Sequence, residues 1–402
     1  MIEDISYSEA LELVLRHARA VEYEELSYRE ALHRVLREDI QAMSFHPPTD
    51  NSAMDGWGVR ASDCSESPVQ LQVTGTILAG EEWRGSLGSG QAVRIMTGAT
   101  IPEGVDAIVP FEEGEERGMN VMISQRVNAG AHIRRKGEDY KEGDLLFESG
   151  RYITAPDIGV LASMGKITVK VSRRPVVSIF STGNELVEPE EQTPGCKIRN
   201  SNSYGLEAQV KSCGAVARVL GIAKDEKNVL KEYIIQAMDS DMLVITGGIS
   251  KGTADYVKEV MQELGAHIVF SKVRQRPGKP FTFSLLREKP VFLLPGNPVS
   301  TMVCFELYMR PFIMKAMQSN TNNVLTVVAC IDENIATKKG RTDILRVIMK
   351  EEQGKNIASL TGAQGSGILT SMVKANGLLI IPEEVNEIKK GEEWPVRILN
   401  TF

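Results

Sequence analysis

The chain has 402 residues, of which 42% are apolar and 25% charged, and its formal net charge is −7. That length allows two to four domains of ordinary globular composition. The acidic balance argues against a nucleic-acid partner, and no apolar run approaches the roughly 18 residues of a membrane span. Cys64, Cys196, Cys213, Cys304 and Cys330 are scattered, with no C-x-x-C spacing. They read as reduced packing residues, not as a disulfide frame or a zinc site. The five histidines are isolated and receive no metal role. The N-terminal stretch is acidic and amphipathic, unlike a signal peptide, so a cytoplasmic protein is expected.

In chain order, Ser6-x-x-Glu9 is a capping box, and Leu11, Val14, Leu15 and Ala18 continue it at helical spacing. Ser27-x-x-Glu30, followed by Leu32, Val35 and Leu36, predicts a second short helix. Asp39–Met43 is strand-like, and Pro47 and Pro48 end it. Asp50–Gly58, DNSAMDGWG, is polar and loop-like, and Trp57 beside carboxylates suits the wall of a cleft. From Val69 to about Val127 the pattern is short strands and turns, with a turn at Thr97-Gly98. Arg134–Asp139, RRKGED, is a basic cluster closed by two acids. A helix starts at Thr154-Ala155-Pro156 and ends at Gly165, and a strand follows at Lys166–Val171.

From Val176 strands and helices alternate. Strands are expected at Val176–Phe180, Ala217–Ile222, Met242–Thr246, His267–Ser271, Phe281–Leu285 and Val291–Leu294. Helices are expected at Tyr204–Cys213, Glu226–Met238, Tyr256–Leu264 and Val299–Met317. After Thr321 the chain reads as a small β domain holding Gln364-Gly365-Ser366.

Three glycine turns punctuate the alternating part. Gly247 and Gly248 follow the strand Met242–Thr246 and lead to Ser250, Lys251, Thr253 and Asp255. Gly183 stands in Ser181–Leu186, and Pro295-Gly296-Asn297-Pro298 ends the last strand, with Asn297 placed to cap the next helix. Glu185, Asp225, Asp255 and Asn297 each follow a predicted strand directly. In a parallel sheet these positions share one edge, where ligands of open α/β sheets bind. Each also suits a plain helix cap. Beside RQRPGKP, with three cations at Arg274–Pro280, they favour a metal-assisted phosphate site, and the hard oxygen donors point to Mg²⁺.

The segments DNSAMDGWGVR, RIMTGATIPEG, IRRKGED, STGNEL, TGGISKGTADY, RPGKPFTF, LPGNPVS and TGAQGS stand in this order across nearly the whole chain. Together they resemble the molybdopterin molybdotransferase family, which includes MoeA and the E domain of gephyrin. The resemblance implies an elongated homodimer of multidomain chains in the α/β plus β class. One part is a molybdopterin-binding α/β domain with a parallel sheet, at 174–320. The others are an N-terminal helical and linker part at 1–50 with 139–173, a small β-rich domain at 51–138, and a C-terminal barrel-like domain at 321–402. It also implies insertion of molybdate into adenylylated molybdopterin with Mg²⁺, releasing AMP. The adenylyltransferase that makes this substrate and the acceptors of the cofactor are then expected partners.

The family's functional residues fall on Asp55, Thr97, Asp139, Glu185, Asp225, Asp255 and Lys279, and Pro295 and Pro298 shape the last loop. Ser366 matches a serine of the C-terminal domain. Glu185, Asp225 and Asp255 are the expected magnesium ligands. Gly247, Gly248, Ser250, Arg276, Gly296 and Asn297 join the expected substrate site, since molybdate is an oxyanion that needs amide, hydroxyl and cationic donors. Asn184 stands where the family often has Asp, Arg276 where Lys is common, and Trp57 where Tyr is usual. Two rival readings are a non-catalytic molybdopterin-binding scaffold of the gephyrin E-domain type and the preceding adenylylating enzyme. A scaffold has no need to keep Asp55, Asp225 and Asp255, and the adenylylating activity belongs to a single α/β domain.

Overall fold

Short runs of β-branched and aromatic residues separated by amphipathic stretches build a sheet with helices on its faces. The computed structural model describes residues 2–247, 254–320 and 325–399, and at 254 and 255 the backbone alone. The chain forms two compact units, one of Met1–Glu38, Ser149–Ala155 and Thr168–Phe402, the other of Asp39–Glu148 and Pro156–Ile167.

In the first unit the elements are β1 (Ile2–Ile5), α1 (Tyr7–Arg16), β2 (Val176–Thr182), α2 (Ser201–Ser212), β3 (Val216–Ala223), α3 (Lys227–Gln236), β4 (Met242–Gly247), α4 (Ala254–Glu263), β5 (His267–Val273), β6 (Thr282–Leu286), β7 (Lys289–Leu294), α5 (Pro298–Cys304) and α6 (Arg310–Ala316). The Ser6 capping box forms as the sequence predicts, with Glu9 closing it at the N-cap amide. The seven strands lie in the order β1-β5-β6-β7-β4-β2-β3. β4 pairs in parallel with β2 and β7, β2 with β3, and β1 with β5. β6 runs antiparallel to both neighbours, so the sheet is mixed and not wholly parallel. The reason is local. A two-residue hairpin at Arg287–Glu288, both at positive φ, returns the chain to β7 without a helix. Inverting β6 leaves β2, β3, β4, β5 and β7 pointing the same way, and the turns after them share one edge.

Phe270, Phe281, Phe283, Phe292, Phe305, Phe312 and Tyr308 are buried together between sheet and helices. Each such ring contributes roughly 1.5–3 kcal/mol by leaving water. The Phe281 and Tyr308 rings stack at 4.5 Å, and Phe292 meets Phe312 edge-on at 5.3 Å. Between α5 and α6 a π-helical turn, Phe305–Met309, interrupts the helix expected over Val299–Met317. The predicted second helix is absent. Tyr23–Ser27 is a strand paired with Thr168–Ser172, and only a single 3₁₀ turn, Tyr28–Glu30, follows. Ser27 caps that turn at Arg29, but Leu32 lies in a further turn, and Val35 and Leu36 form isolated bridges to Tyr152 and Val171.

The C-terminal part is a closed barrel of five strands: Thr326–Ile331, Thr342–Glu352, Lys355–Leu360, Gly377–Ile381 and Glu393–Ile398. Closure comes from Thr342–Glu352, which pairs with both Lys355–Leu360 and Gly377–Ile381. Alternate residues face inward, Val347 with Leu379 and Val396. The second unit holds a six-stranded sheet in the order Ala107–Pro110, Gly56–Val59, Gln91–Ile95, Val69–Ile77, Asn120–Ile123, Gly114–Arg117.

Gly247 shows what the edge demands. Its φ is +94°, and a Cβ there would stand 2.2 Å from the Thr182 carbonyl oxygen. Gly265 also has a positive φ, of +83°, but open space around it. Gly265→Ala should therefore cost about 1 kcal/mol, and Gly247→Ala more than about 3 kcal/mol because backbone must also move. Urea unfolding of the two variants checks this; equal losses would mean that φ alone matters.

Candidate active site

The turn after β2 and the turn after β3 meet through one carboxylate. Asp225 accepts the Thr182 hydroxyl at 2.7 Å and the Asn184 amide at 3.4 Å, and its own amide donates to Asn184 Oδ1 at 3.3 Å. The Glu185 carboxylate folds back over Gly183, where a Cβ would lie 2.7 Å from both of its oxygens. Lys197 Nζ donates to the Asn184 carbonyl. Glu185 and Asp225 thus border one turn, and two hard carboxylates suit Mg²⁺, which keeps several waters and needs few protein ligands. Among the described residues no group of three acids, histidines or cysteines converges. Asp255 stands in α4, but its side chain, and all of Gly248 and Ser250, lie outside the described residues.

β4 and β7 bring Gly247 and Gly296 together, and a Cβ on Gly296 would be 3.5 Å from the Gly247 Cα. The Pro295 carbonyl accepts the Thr246 hydroxyl at 3.0 Å and the Thr301 hydroxyl at 2.5 Å. Asn202 Nδ2 donates to Thr246 Oγ1 and the Gly296 carbonyl. Pro298 takes the first turn of α5, but Asn297 does not cap it with its side chain. The amide instead donates to Ser366 Oγ at 3.1 Å, and Val299 N–H donates to the Ser366 carbonyl. The Gln364-Gly365-Ser366 turn of the barrel therefore sits on the turn after β7. Beside it opens a cavity of about 280 Å³, largely apolar, lined by Asn202, Pro298, Met302, Leu369 and Met372 among others.

A residue that sequence reading missed holds the QGS turn. Arg346 is fully buried. Its Nε donates to Ser371 Oγ at 3.1 Å and its Nη2 to the Gly365 carbonyl at 3.2 Å, while Gln364 bonds its backbone on both sides. Nη1 has no partner, and among the described residues no carboxylate pairs with this guanidinium. Burial, helped by nearby Arg276, brings its pKa down to about 10. It lines a cavity of about 340 Å³ with Arg276, Lys338 and Arg341, where Asp343 pairs with Arg341. A buried, uncompensated cation is costly, and its chemistry suits an anionic partner. The only sequence sign was a single arginine in the apolar run ILRVI.

Arg276 and Lys279 stand in the turn after β5, on the same edge as the turns after β2, β3, β4 and β7. Both are exposed, and Lys279 Nζ is 3.6 Å from Asp4 Oδ1.

In the second unit, Asp55 Oδ1 accepts both the amide and the hydroxyl of Thr97 at 2.7 Å. The Thr97 amide, then its hydroxyl, hold the Asp55 carboxyl below the usual carboxylate range. The Asp139 amide donates to the His46 carbonyl, and its side chain is exposed. Asp50 accepts from Arg135 at 2.6 Å and from the Lys136 amide. Trp57 is no cleft wall. It is 1% exposed, packed in the unit's core against Phe111 with Arg94 over its ring. All four residues of the strand Gly56–Val59 are buried, Trp57 among them.

Three family profiles match in order: the MoeA N-terminal region (domain I and II) at residues 5–165, a probable molybdopterin binding domain at 178–315, and the MoeA C-terminal region (domain IV) at 329–399. The chain is 34% identical to a molybdopterin molybdenumtransferase of Bacillus subtilis over 91% of this chain and 90% of that protein. It is 35% identical to one of Haemophilus influenzae, covering 90% of each. The solved structure of the molybdopterin biosynthesis MoeA protein from Pyrococcus horikoshii matches 98% of this chain and all of that one, with a TM-score of 0.86 at 30% identity. With its three regions in the family's order and its relatives aligned nearly end to end, the chain belongs to the MoeA family.

Proposed function

We propose that this protein is a molybdopterin molybdenumtransferase that inserts molybdate into adenylylated molybdopterin and releases AMP. The observation that carries the oxyanion part is the buried, unpaired guanidinium of Arg346 beside Arg276. Arg346, Arg276 and Lys279 bind and orient molybdate, and the QGS turn keeps Arg346 next to the Asn297 turn. The apolar cavity beside Pro298 takes a flat ring and keeps water off it. Glu185 and Asp225, with Asp255, hold Mg²⁺. When bound, that ion supplies neutralisation of the phosphate oxygens joined to the leaving nucleotide. Asp225 is kept oriented by Thr182 and Asn184, so substitution there disturbs the carboxylate and not the strand.

The same reading carries a homodimer in the cytoplasm that receives its substrate from the adenylyltransferase and passes the product to cofactor acceptors. It assigns no nucleic-acid or membrane partner. Among the described residues no helix is long and apolar enough to cross a membrane.

The deciding experiment supplies purified protein with adenylylated molybdopterin and follows AMP by chromatography. AMP should appear only with Mg²⁺ present and should rise with added molybdate. AMP absent under all these conditions would refute the transferase. A second expectation follows from Arg346. Arg346→Met removes an uncompensated buried charge, so Tm should hold or rise, while the molybdate KM increases at least about tenfold. A KM equal to wild type would leave Arg346 a structural residue only.

A further inference from the structure

The turn that carries Arg276 and Lys279 is tied by backbone on its leading side, where Gln275 and Arg276 pair in parallel with Thr342 and Asp343, but Pro277, Gly278 and Lys279 beyond it have little backbone bonding. Pro277 has no N–H, and Gly278 stands at a φ of +98°. Two bonds close the turn, Phe281 N–H to the Gly278 carbonyl and Val273 N–H to the Lys279 carbonyl. The side-chain fastening of Pro277 and Gly278 comes from below, through Gln275, which is 2% exposed. Gln275 Oε1 accepts the Tyr308 hydroxyl. Nε2 donates to the Pro277 carbonyl at 3.1 Å and lies 3.6 Å from Cys304 Sγ. The fit is tight, since a Cβ on Gly278 would stand 2.5 Å from Gln275 Nε2 and 2.6 Å from Cys304 Sγ.

The anchor matters as much as the bond. Cys304 ends α5 and Tyr308 lies in the π turn that continues it. α5 begins at Pro298, directly after the turn that carries Asn297. One stretch of helix, roughly one face over ten residues, therefore ties the cationic turn to the turn that contacts Ser366. A buried amide contributes little net stability compared with an apolar side chain of the same size. What it supplies is direction, because its acceptor and donor diverge to different partners, Tyr308 and Pro277. π turns similarly persist where geometry outweighs helix regularity. Tyr308 itself is held by its stack on Phe281 and by the edge of Tyr7 at 5.8 Å.

We propose that Gln275 and Tyr308 are positioning residues that set the RPGKP turn for oxyanion binding by Arg276 and Lys279. The proposal rests on the oxyanion reading of that turn given above. Neither residue touches substrate; both act through the backbone of Pro277 and Gly278.

The test uses the full chain and steady-state kinetics with molybdate varied. Tyr308→Phe keeps the ring and removes only the hydroxyl. The molybdate KM should rise about tenfold while kcat at saturation stays within about twofold. Gln275→Glu gives a second readout. As a carboxylate it accepts from Tyr308 but cannot donate to Pro277; protonated, it regains a donor. The ratio of variant to wild-type KM should therefore fall as pH is lowered from about 8 to about 6, since burial raises a carboxyl pKa. Lys279→Ala serves as the reference for the anion site. If Lys279→Ala raises the molybdate KM but Tyr308→Phe lowers Tm and leaves KM unchanged, the positioning role is overturned and the anion site stands. A flat KM ratio for Gln275→Glu across pH also overturns it. If Lys279→Ala leaves KM unchanged, the oxyanion reading falls and this proposal falls with it.

Discussion

Everything at the working edge depends on backbone meeting backbone. Gly247 can pack against the Thr182 carbonyl only because it carries no side chain, while Gly296 beside it leaves room for a Cβ at ordinary contact distance, 3.5 Å from the Gly247 Cα. Each contact closes two neighbouring parallel strands at their carboxyl ends. The polar groups then have fixed places from which to reach one another. Thr182 reaches Asp225, Thr246 reaches the Pro295 carbonyl, and Asn202 spans Thr246 and Gly296. A larger residue at Gly247 would separate these turns before any catalytic side chain had changed.

Electrostatics at the other end of the site follow the opposite logic. Where Arg173 and Asp241 meet they form a bidentate pair, and Glu306 is matched by Arg310 and Gln209. Arg346 has hydroxyl and carbonyl partners but no acid. A strand that alternates Ile344, Arg346 outward and Leu345, Val347 inward could seat an aliphatic residue at 346 at less cost. A cation kept there, with Arg276 nearby, is what the proposed oxyanion site calls for.

Much of this was legible in the sequence because parallel strands are short apolar runs, and the residue after each is placed by topology alone. Glu185, Asp225 and Asn297 stand where that reading placed them, at the ends of β2, β3 and β7. Other features depend on tertiary context. Inverting β6 needed a hairpin at Arg287–Glu288, a pair with none of the glycine or asparagine that usually marks such a turn. Ser27-x-x-Glu30 carries a helix signal, but pairing of Tyr23–Ser27 with Thr168–Ser172 leaves it one 3₁₀ turn. Asn297 has the right position for a cap, and Ser366, distant in sequence, offers its side chain another partner. Arg346 looked like one charge in a barrel strand; only the assembled cavity shows that it lacks a counter-ion.

β1 has a consequence for how the protein is made. Its register sets Ile2 opposite Phe270 and Ile5 opposite Val273, on the outer side of β5. On a ribosome working at roughly 5–20 residues per second, these first residues wait on the order of 15–50 s for their partner. During that interval Asp39–Glu148 and Pro156–Ile167 are already complete and free to fold as a unit. The N-terminal segment is the first strand of its sheet to emerge, yet it cannot pair until β5 is made, and only β6 and β7 come later. By covering β5 it also replaces a seven-residue strand edge with a four-residue one, a smaller target for another chain.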